Sequence, residues 1–257
     1  MYAAADLAAT GIPRRIQFLG FPLISASYRE VADWIIDSAQ SRSKVSVVMH
    51  VNFYNYYLAH ESPAVREQVR DGCHLLLDGI GMKVGAWIRG HGWREDVNGT
   101  DLFPLVMQRA ARRNARIFFL GGTAAVLQRT ISVCRERYPG LEVCGWRAGY
   151  FRDQDAEAIV AGIKEAEPHV LIVSRGSSMQ AEFLLRYRRQ FGASVVWNVG
   201  GLFDFVSGAK PRAPEWMRRL RLEWLFRLLR EPGRLWRRTF VVAPWFLVHV
   251  LVRDADG

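Results

Sequence analysis

The chain has little of what marks several large classes of protein. Only three of its 257 residues are cysteine: Cys73, Cys134 and Cys144. Their number is odd and they have no metal-ligand spacing, so we expect buried thiols in a reducing compartment. The segment Asp153-Gln154-Asp155 has the form of a metal-binding D-x-D. It directly precedes a predicted helix, however, and fits a helix start better. We therefore expect no metal and no cofactor.

Segments that would target or anchor the chain are also scarce. The N-terminus has no basic stretch followed by an apolar one, so we expect no signal peptide. The longest uncharged apolar run, Thr239 to Val252, is fourteen residues long, whereas a helix needs about 20 to cross a bilayer. A run of this length can lie in the membrane interface. These features predict a cytosolic protein with a membrane-facing surface.

Positive charge is abundant and concentrated near the end of the sequence. The formal net charge is +10, and the stretch from Lys210 to Arg238 has ten Lys or Arg and three Glu, hence +7 (10 − 3). Such a stretch predicts an anionic partner, either the diphosphate of a nucleotide or lipid, or a membrane surface. No nucleic-acid recognition motif is present, and we expect no nucleic-acid partner. An apolar stripe runs through the same stretch at four-residue spacing: Trp216, Leu220, Trp224 and Leu228.

The remaining sequence alternates between strand-like and helix-like segments. Buried β-branched runs such as Val45–His50 and Val170–Ser174 are separated by helical patterns. This alternation predicts an α/β fold with a Rossmann-like, largely parallel sheet flanked by helices. Composition turns basic and aromatic near Ser207–Pro214. We therefore predict an α/β core over residues 1–207 and a basic, amphipathic helical appendage over residues 208–257.

Polar residues and glycines follow the predicted strands. They should meet at one edge, because ligands of open α/β sheets bind at the carboxyl ends of the strands. Asp78, after Leu75-Leu76-Leu77, is either a general base of raised pKa or a turn residue that caps the next helix. Gly121-Gly122 either presents N–H groups to a phosphate or allows tight packing. The set also includes His50 and Asn52, Arg175, Gln180, and Gly200-Gly201.

The basic stretch has two interpretations as well. Arg227, Arg234 and Arg237 are spaced by seven and three residues and can share one helix face. Guanidinium groups suit diphosphate recognition and could stabilise a departing nucleoside diphosphate without a metal. The alternative is that these side chains are simply solvated.

Motifs in order along the chain resemble those of the WecG/TagA/CpsF glycosyltransferases (family 26). The resemblance extends from about Ile16 to Val252. It rests on Asp78-Gly79-Ile80-Gly81, Asn98-Gly99-Thr100-Asp101-Leu102, Phe119-Leu120-Gly121-Gly122, Tyr138-Pro139-Gly140-Leu141, Gly149-Tyr150-Phe151, Gly200-Gly201 with Phe203-Asp204 and Ser207-Gly208, Arg212-Ala213-Pro214, Leu222-Glu223-Trp224 with Arg227, and Glu231-Pro232 with Arg234 and Arg237.

The resemblance implies an inverting, metal-independent transfer from a UDP-sugar to a polyprenyl-diphosphate-linked saccharide at the inner face of a bacterial membrane. The reaction would belong to exopolysaccharide or cell-surface glycan synthesis. Asp78 matches the family's proposed general base, which would deprotonate the acceptor hydroxyl. Asn52 and Gln180 match positions that line the family's pocket, and Arg227, Arg234 and Arg237 match arginines that close over the diphosphate. The exposed apolar rim also predicts a tendency towards homo-oligomers.

The chain departs from the family pattern at three places on the predicted rim. His50 stands where the family usually has threonine, Asp96 where it has arginine, and Ala181 where it has glutamate. The reversed charge at Asp96 disfavours a uronic-acid donor, so we expect a neutral hexose or N-acetylhexosamine. The alternative to an enzyme is a catalytically inactive, membrane-associated scaffold subunit of a polysaccharide assembly complex.

Overall fold

The protein forms one eight-stranded sheet with helices on both faces. The computed structural model describes residues 13–42, 44–62, 66, 69–70, 72–93, 95–174 and 183–252. The strands are β1 (Arg15–Phe18), β2 (Phe21–Ile24), β3 (Ser46–Val51), β4 (His74–Leu77), β5 (Ile117–Gly121), β6 (Val143–Arg147), β7 (Val170–Ser174) and β8 (Val195–Asn198).

Helices connect these strands and then continue alone to the end of the described chain. They are α1 (Tyr28–Ser41), α2 (Phe53–Glu61), α3 (Ile80–Ile88), α4 (Gly99–Arg112), α5 (Ala124–Arg137), α6 (Ala156–Glu165), α7 (Leu202–Val206), α8 (Glu215–Arg219), α9 (Glu223–Arg230), α10 (Pro232–Arg237) and α11 (Ala243–Val252), with a π-helical turn (Arg238–Val242) between the last two. Residues 183–187 are also helical.

The sheet is parallel except at one edge. Its strand order is β1-β2-β4-β3-β8-β7-β5-β6, and only the β1–β2 pair is antiparallel. Successive residues of a central strand enter opposite cores, since Leu75 and Leu77 pack on one face of the sheet and Leu76 on the other. The expected α/β fold with a largely parallel sheet and a C-terminal helical region is therefore confirmed.

Strand β2 was not predicted from the sequence. It forms a hairpin with β1 through Leu19 and Gly20, whose φ angles are 51° and 79°. Positive φ at both central residues is the requirement of the type I′ turn that suits the twist of a hairpin. The usual Asn-Gly or Asp-Gly signal is absent, and Pro22 argues against a strand in a sequence pattern. The strand forms nevertheless, because Phe21, Leu23 and Ile24 are all buried.

The last two helices are joined into one long helical stretch by the π-helical turn. Its inner side packs on the core: Val242, Phe246 and Val250 are buried, and Phe246 contacts the rings of Phe53 and Tyr56 in α2. By length and composition, Pro232–Val252 is the candidate membrane span among the described residues, with 21 residues. The helical stretch is longer than the uncharged run of fourteen residues because it also includes Arg234, Arg237 and Arg238, and its placement in the membrane interface stays a prediction.

Gly121 allows β5 to approach β7 closely. Its φ is 136°, and a Cβ atom there would lie 2.1 Å from the carbonyl oxygen of Ser174. We expect Gly121→Ala to lower the free energy of unfolding by about 3 kcal/mol, through backbone strain and this clash. Denaturant unfolding measures the change. Gly201→Ala is the matched control, because Gly201 has a φ of −90° and open space around it. Equal stability of the two variants would contradict the prediction.

Candidate active site

The carboxyl ends of the central strands form the rim on which the predicted site residues meet. Asn52 follows β3, Asp78 follows β4, Gly121 ends β5, and Gly200 lies two residues beyond β8. Strands β4, β3 and β8 are neighbours, and β7 separates β8 from β5. The fold thus gathers residues that are far apart in the sequence, as the strand-end rule predicts.

Asp78 occupies a partly enclosed position at the end of β4. Its backbone N–H donates to the carbonyl of Val51 at 2.9 Å, which continues the β3–β4 pairing beyond the strand. Gly79, not Asp78, is the N-cap of α3, and no side chain caps that helix. The helix-capping interpretation of Asp78 is therefore wrong. Burial raises the pKa of Asp78, and Arg227 and then Arg238 oppose that rise.

Asn52 links the start of α2 to the Asp78 carboxylate. Its side-chain oxygen accepts hydrogen bonds from the backbone N–H groups of Tyr54 and Asn55, both at 3.0 Å. Its amide group is then free to donate to Asp78, and this hydrogen bond lowers the pKa of the carboxyl group. One side chain thus caps a helix and orients the candidate base.

Two arginines from the C-terminal helices face Asp78. Arg227 lies over the ring of Phe205 at 4.7 Å, and Arg238 lies over Phe53 and Tyr54 at 5.1 and 5.4 Å. Burial lowers the pKa of Arg238, while the charge of Asp78 acts in the opposite direction. Aromatic faces hold a guanidinium group without neutralising it. Stacking on an aromatic ring therefore leaves the edge of each guanidinium group able to bind an anion.

Arg238 was missed by the sequence analysis, which selected Arg237 instead. Arg237 is exposed on α10, and Arg234, also exposed, pairs with Glu231. The spacings from Arg227 to Arg234 and from Arg234 to Arg238 are seven and four residues, which also fit one helix face. That spacing was the available signal, and the π-helical turn that begins at Arg238 was not visible in the sequence.

A chain of ion pairs positions Arg227. Asp101 of α4 pairs with Arg212 at 2.7 Å, Arg212 pairs with Glu223 at 3.2 Å, and Glu223 pairs with Arg227 at 2.8 Å. Asp101 itself lies in the first turn of α4, where its backbone N–H donates to the N-cap Asn98. The motifs around residues 98–102, 212–214 and 222–227 therefore form one network that joins the core to the C-terminal helices.

A second chain of ion pairs holds Arg234 in the same manner. Lys210 pairs with Asp204 of α7 at 3.5 Å and with Glu231 at 3.1 Å, and Glu231 pairs with Arg234. All these side chains are partly exposed, so each pair contributes little stability by itself. Together these pairs restrict the orientation of the Arg234 guanidinium group.

Asp96 is a second carboxylate beside Asp78 and lies 5% exposed. Burial, followed by the negative charge of Asp78, raises the pKa of Asp96 to about 6. The carboxyl group accepts a hydrogen bond from the backbone N–H of Gly79 at 2.6 Å and lies 3.5 Å from Arg221. The sequence analysis placed Asp96 on the rim as a departure from the family pattern but did not predict its contact with Gly79 beside Asp78.

His50 lies below the rim with both ring nitrogens engaged. Nε2 accepts from Trp197 Nε1 at 3.0 Å, and Nδ1 lies 3.1 Å from the Val97 carbonyl, to which it can donate. Burial lowers the pKa of His50 to about 4, so the ring is neutral at physiological pH. These contacts favour a packing role, and its role in substrate binding stays a prediction. Gln180 and Arg175 lie outside the described residues.

The glycines of the rim fall into two groups. Gly121 and Gly122 have φ angles of 136° and 61°, and Gly122 N–H donates to the Ser174 carbonyl at 3.0 Å. Packing alone therefore explains Gly121, and a phosphate contact at this turn stays a prediction. Gly200 has a φ of 59°, and both Gly200 and Gly201 are exposed with open space around them. This space leaves the backbone open to a ligand, and a substrate contact at Gly200-Gly201 stays a prediction.

No group of three or more His, Cys, Asp or Glu residues suited to a metal ion is present in the part of the chain that the structure describes. Asp153 and Asp155 form a short 3₁₀ turn before α6, and Asp155 pairs with Arg152. Cys73 and Cys134 are buried, and burial raises the pKa of each thiol to about 12.

A carboxyl group of raised pKa, faced by two guanidinium groups, lies at the carboxyl edge of the parallel sheet, the edge at which α/β enzymes bind their ligands. The profile of the glycosyl transferase WecG/TagA/CpsF family matches residues 16–256. The chain belongs to this family and is a glycosyltransferase, as its resemblance to the family predicted.

Two curated relatives are similar over most of their length. One is the N-acetylglucosaminyldiphosphoundecaprenol N-acetyl-beta-D-mannosaminyltransferase of Bacillus spizizenii, 32% identical over 196 residues, which are 76% of this chain and 75% of the relative. The other has the same name and comes from Bacillus subtilis, 32% identical over 182 residues, or 71% and 70% of the two chains. Both names describe transfer to a sugar carried on a polyprenyl diphosphate.

The raised pKa of Asp78 has a measurable effect on stability. The folded protein keeps this proton to a higher pH than the unfolded chain does. Stability therefore falls as the pH rises from the pKa of Asp78 in the unfolded chain to its higher pKa in the folded protein. Asp78→Asn removes the buried charge. We expect its free energy of unfolding to exceed that of the wild type at about pH 8 and to approach it near pH 4.

Asp33→Asn is the control for this pH dependence. Its hydrogen bond with Arg109 lowers the pKa of Asp33, so the charged form stabilises the folded protein. We expect Asp33→Asn to be less stable than the wild type at about pH 8, the opposite sign to Asp78→Asn. Denaturant unfolding at the two pH values measures both variants. Loss of stability in Asp78→Asn at high pH would contradict the assignment.

Proposed function

We propose that the protein is an inverting, metal-independent glycosyltransferase that moves a sugar from a UDP-sugar to a polyprenyl-diphosphate-linked saccharide. The observation that carries the proposal is that the charges of Arg227 and Arg238, from the C-terminal helical region, act on the buried Asp78 at the sheet edge. It combines a base of raised pKa with two cations from the C-terminal helices. Membership of the family supports the reaction class.

The mechanism follows from these charges. Asp78 accepts the proton of the acceptor hydroxyl as the hydroxyl oxygen attacks the anomeric carbon from the face opposite the leaving group. The new glycosidic C–O bond forms while the bond from the anomeric carbon to UDP breaks, and the bonding electrons leave with the diphosphate. Arg227 and Arg238 stabilise the developing negative charge. A single displacement of this kind inverts the configuration of the anomeric carbon.

The donor and acceptor are proposed from the relatives and from the rim. Both relatives are named for transfer of an N-acetylhexosamine to N-acetylglucosaminyl-diphosphoundecaprenol. Asp96, buried beside Asp78, disfavours a donor with its own carboxylate at this position. We therefore assign a neutral donor, an N-acetylhexosamine or a hexose, and a role in exopolysaccharide or cell-surface glycan synthesis.

Transfer is tested by UDP release from a panel of UDP-sugars with a synthetic lipid-diphosphate acceptor. We expect acceptor-dependent release that persists in EDTA, and a loss of about a thousandfold in kcat in Asp78→Asn, since the variant cannot act as a base. Asp33→Asn, remote from the rim, should retain wild-type turnover. UDP release abolished by EDTA would overturn metal independence. UDP binding absent from the wild type would favour the scaffold interpretation.

The C-terminal helices also present an apolar face to solvent. Trp236 and Phe240 are 53% and 65% exposed, and Val248 and Leu251 are 59% and 65% exposed. Arginines lie along the same helices, a combination typical of helices in the interface of an anionic membrane. Because Phe246 and Val250 are buried against the core, we place the stretch in the interface rather than across the bilayer. The protein would then be cytoplasmic and peripheral at the inner face of the membrane.

Sedimentation with anionic phospholipid vesicles tests this placement. We expect the double variant Trp236→Ser/Phe240→Ser to reduce the vesicle partition coefficient by at least about tenfold, because two large apolar side chains no longer leave water. Trp146→Ser, which alters an exposed tryptophan of β6, is the matched control and should bind as the wild type does. Equal partitioning of the double variant and the control would contradict the placement.

A further inference from the structure

Asp96 contacts two parts of the site that are otherwise separate. Its Oδ1 accepts from the backbone N–H of Gly79 at 2.6 Å, and its Oδ2 lies 3.5 Å from Arg221 Nη1. The Asp96 side chain is 6% exposed, whereas that of Arg221 is 53% exposed. A carboxylate removed from water to this degree requires partners. The two oxygens find one partner in the core and one in the C-terminal helices.

The Gly79 contact determines the path of the chain directly after Asp78. Gly79 has a φ of 94°, which a residue with a side chain rarely adopts, and it has no side chain to fix the turn. The Asp96 carboxylate holds its N–H instead. The loop that carries Asp96 is fixed in turn, because Tyr28 Oη and Asn98 N both donate to the Asp96 carbonyl. The hydrogen bond from Tyr28 of α1 thus fixes the loop of Asp96, and that loop in turn fixes the turn directly after Asp78.

The Arg221 contact reaches the segment that supplies the arginines. Arg221 lies between α8 and α9 with a φ of 60°, and Arg227 lies in α9, about one turn after its first residue, Glu223. The left-handed conformation of Arg221 ends α8, where the backbone N–H of Leu222 donates back to the Met217 carbonyl at 2.8 Å. An ion pair formed at this junction therefore affects how α9 meets the rim.

We propose that Asp96 is a positioning residue that ties the turn carrying Asp78 to the helices carrying Arg227. The buried carboxylate of Asp96 would then fix the position of Asp78 relative to Arg227. This inference rests on the proposed transfer reaction for its kinetic consequences, but not for its structural ones. It assigns a specific role to the position at which the chain differs in charge from its family.

The charged and titratable groups around Asp96 come from five elements. Asp78 directly follows β4, and its charge raises the pKa of Asp96, while Arg221 and Lys83 lower that pKa. The negative charge of Asp96 also acts on His50 of β3, whose pKa it raises slightly against the larger effect of burial. The repulsion between the two carboxylates is mutual, so a change at Asp96 also alters the electrostatic field at Asp78, where Arg227, Arg238 and Glu223 act as well. Among the described residues, the groups around Asp96 are Asp78, Lys83 of α3, Arg221, His50 and Tyr28 of α1.

The test combines hydrogen exchange of the full-length protein with the pH dependence of transfer. Asp96→Asn keeps an acceptor for Gly79 but loses the charge, so the acid limb of kcat should move to lower pH as the pKa of Asp78 falls. Its kcat should drop by about tenfold with little change in the donor KM. Asp96→Ala should also speed amide exchange at residues 78–80 and in α8–α9.

Arg221→Gln and Arg221→Lys form a matched pair, because both place a side chain at the same left-handed position. We expect faster exchange in α8–α9 and lower kcat in Arg221→Gln, and recovery of both in Arg221→Lys. Asp37→Asn, which removes the partner of Arg113 on α1, should leave exchange and the pH profile unchanged.

An unshifted acid limb in Asp96→Asn, or unchanged exchange at both places in Asp96→Ala, would overturn the proposal. Should Asp96→Ala fail to fold, the isosteric Asp96→Asn and the Arg221 pair decide the question. If the wild type transfers no sugar, the proposed function fails, and the exchange results alone then support or overturn the positioning role.

Discussion

The negative charge of Asp78 is the constraint on which the arrangement of this molecule depends. A carboxylate withdrawn from water requires compensation. Around it the core contributes an amide from Asn52 and a second carboxylate from Asp96. The cations that oppose its rise in pKa, Arg227 and Arg238, both come from the C-terminal helices. The core and those helices are therefore complementary in charge at this one place, and neither would form the site alone.

The two chains of ion pairs connect short motifs that lie far apart in the sequence. Each chain starts at an acidic residue of the core, Asp101 or Asp204, and ends at an arginine of the C-terminal helices. Exposed pairs of this kind add little to stability. Their value lies in orientation, because a long arginine side chain otherwise samples many rotamers. The motifs thus specify where guanidinium groups lie rather than how firmly the fold holds.

The sequence predicted the parallel sheet and the rim well, because burial patterns and strand ends follow local rules. Asp78 and Asn52 were placed correctly for that reason. Three features were not predicted. The strand Phe21–Ile24 depends on a turn through Leu19 in a left-handed conformation. Asp96 acts through contacts 17 residues away in the chain, at Gly79, which no periodicity reveals. Arg238 is the first residue of a π-helical turn, which no sequence pattern marks.

That change of winding also settles the direction in which one row of side chains points. Arg238, Val242, Phe246 and Val250 recur every fourth residue. In a regular α-helix each such step drifts by about 40° around the axis, so the row would wind away from the core. The wider π-helical turn takes back part of this drift. Arg238 at one end of the row and Val250 at the other therefore lie on the same side of the helix, towards the core. The opposite side stays exposed and can contact a membrane surface.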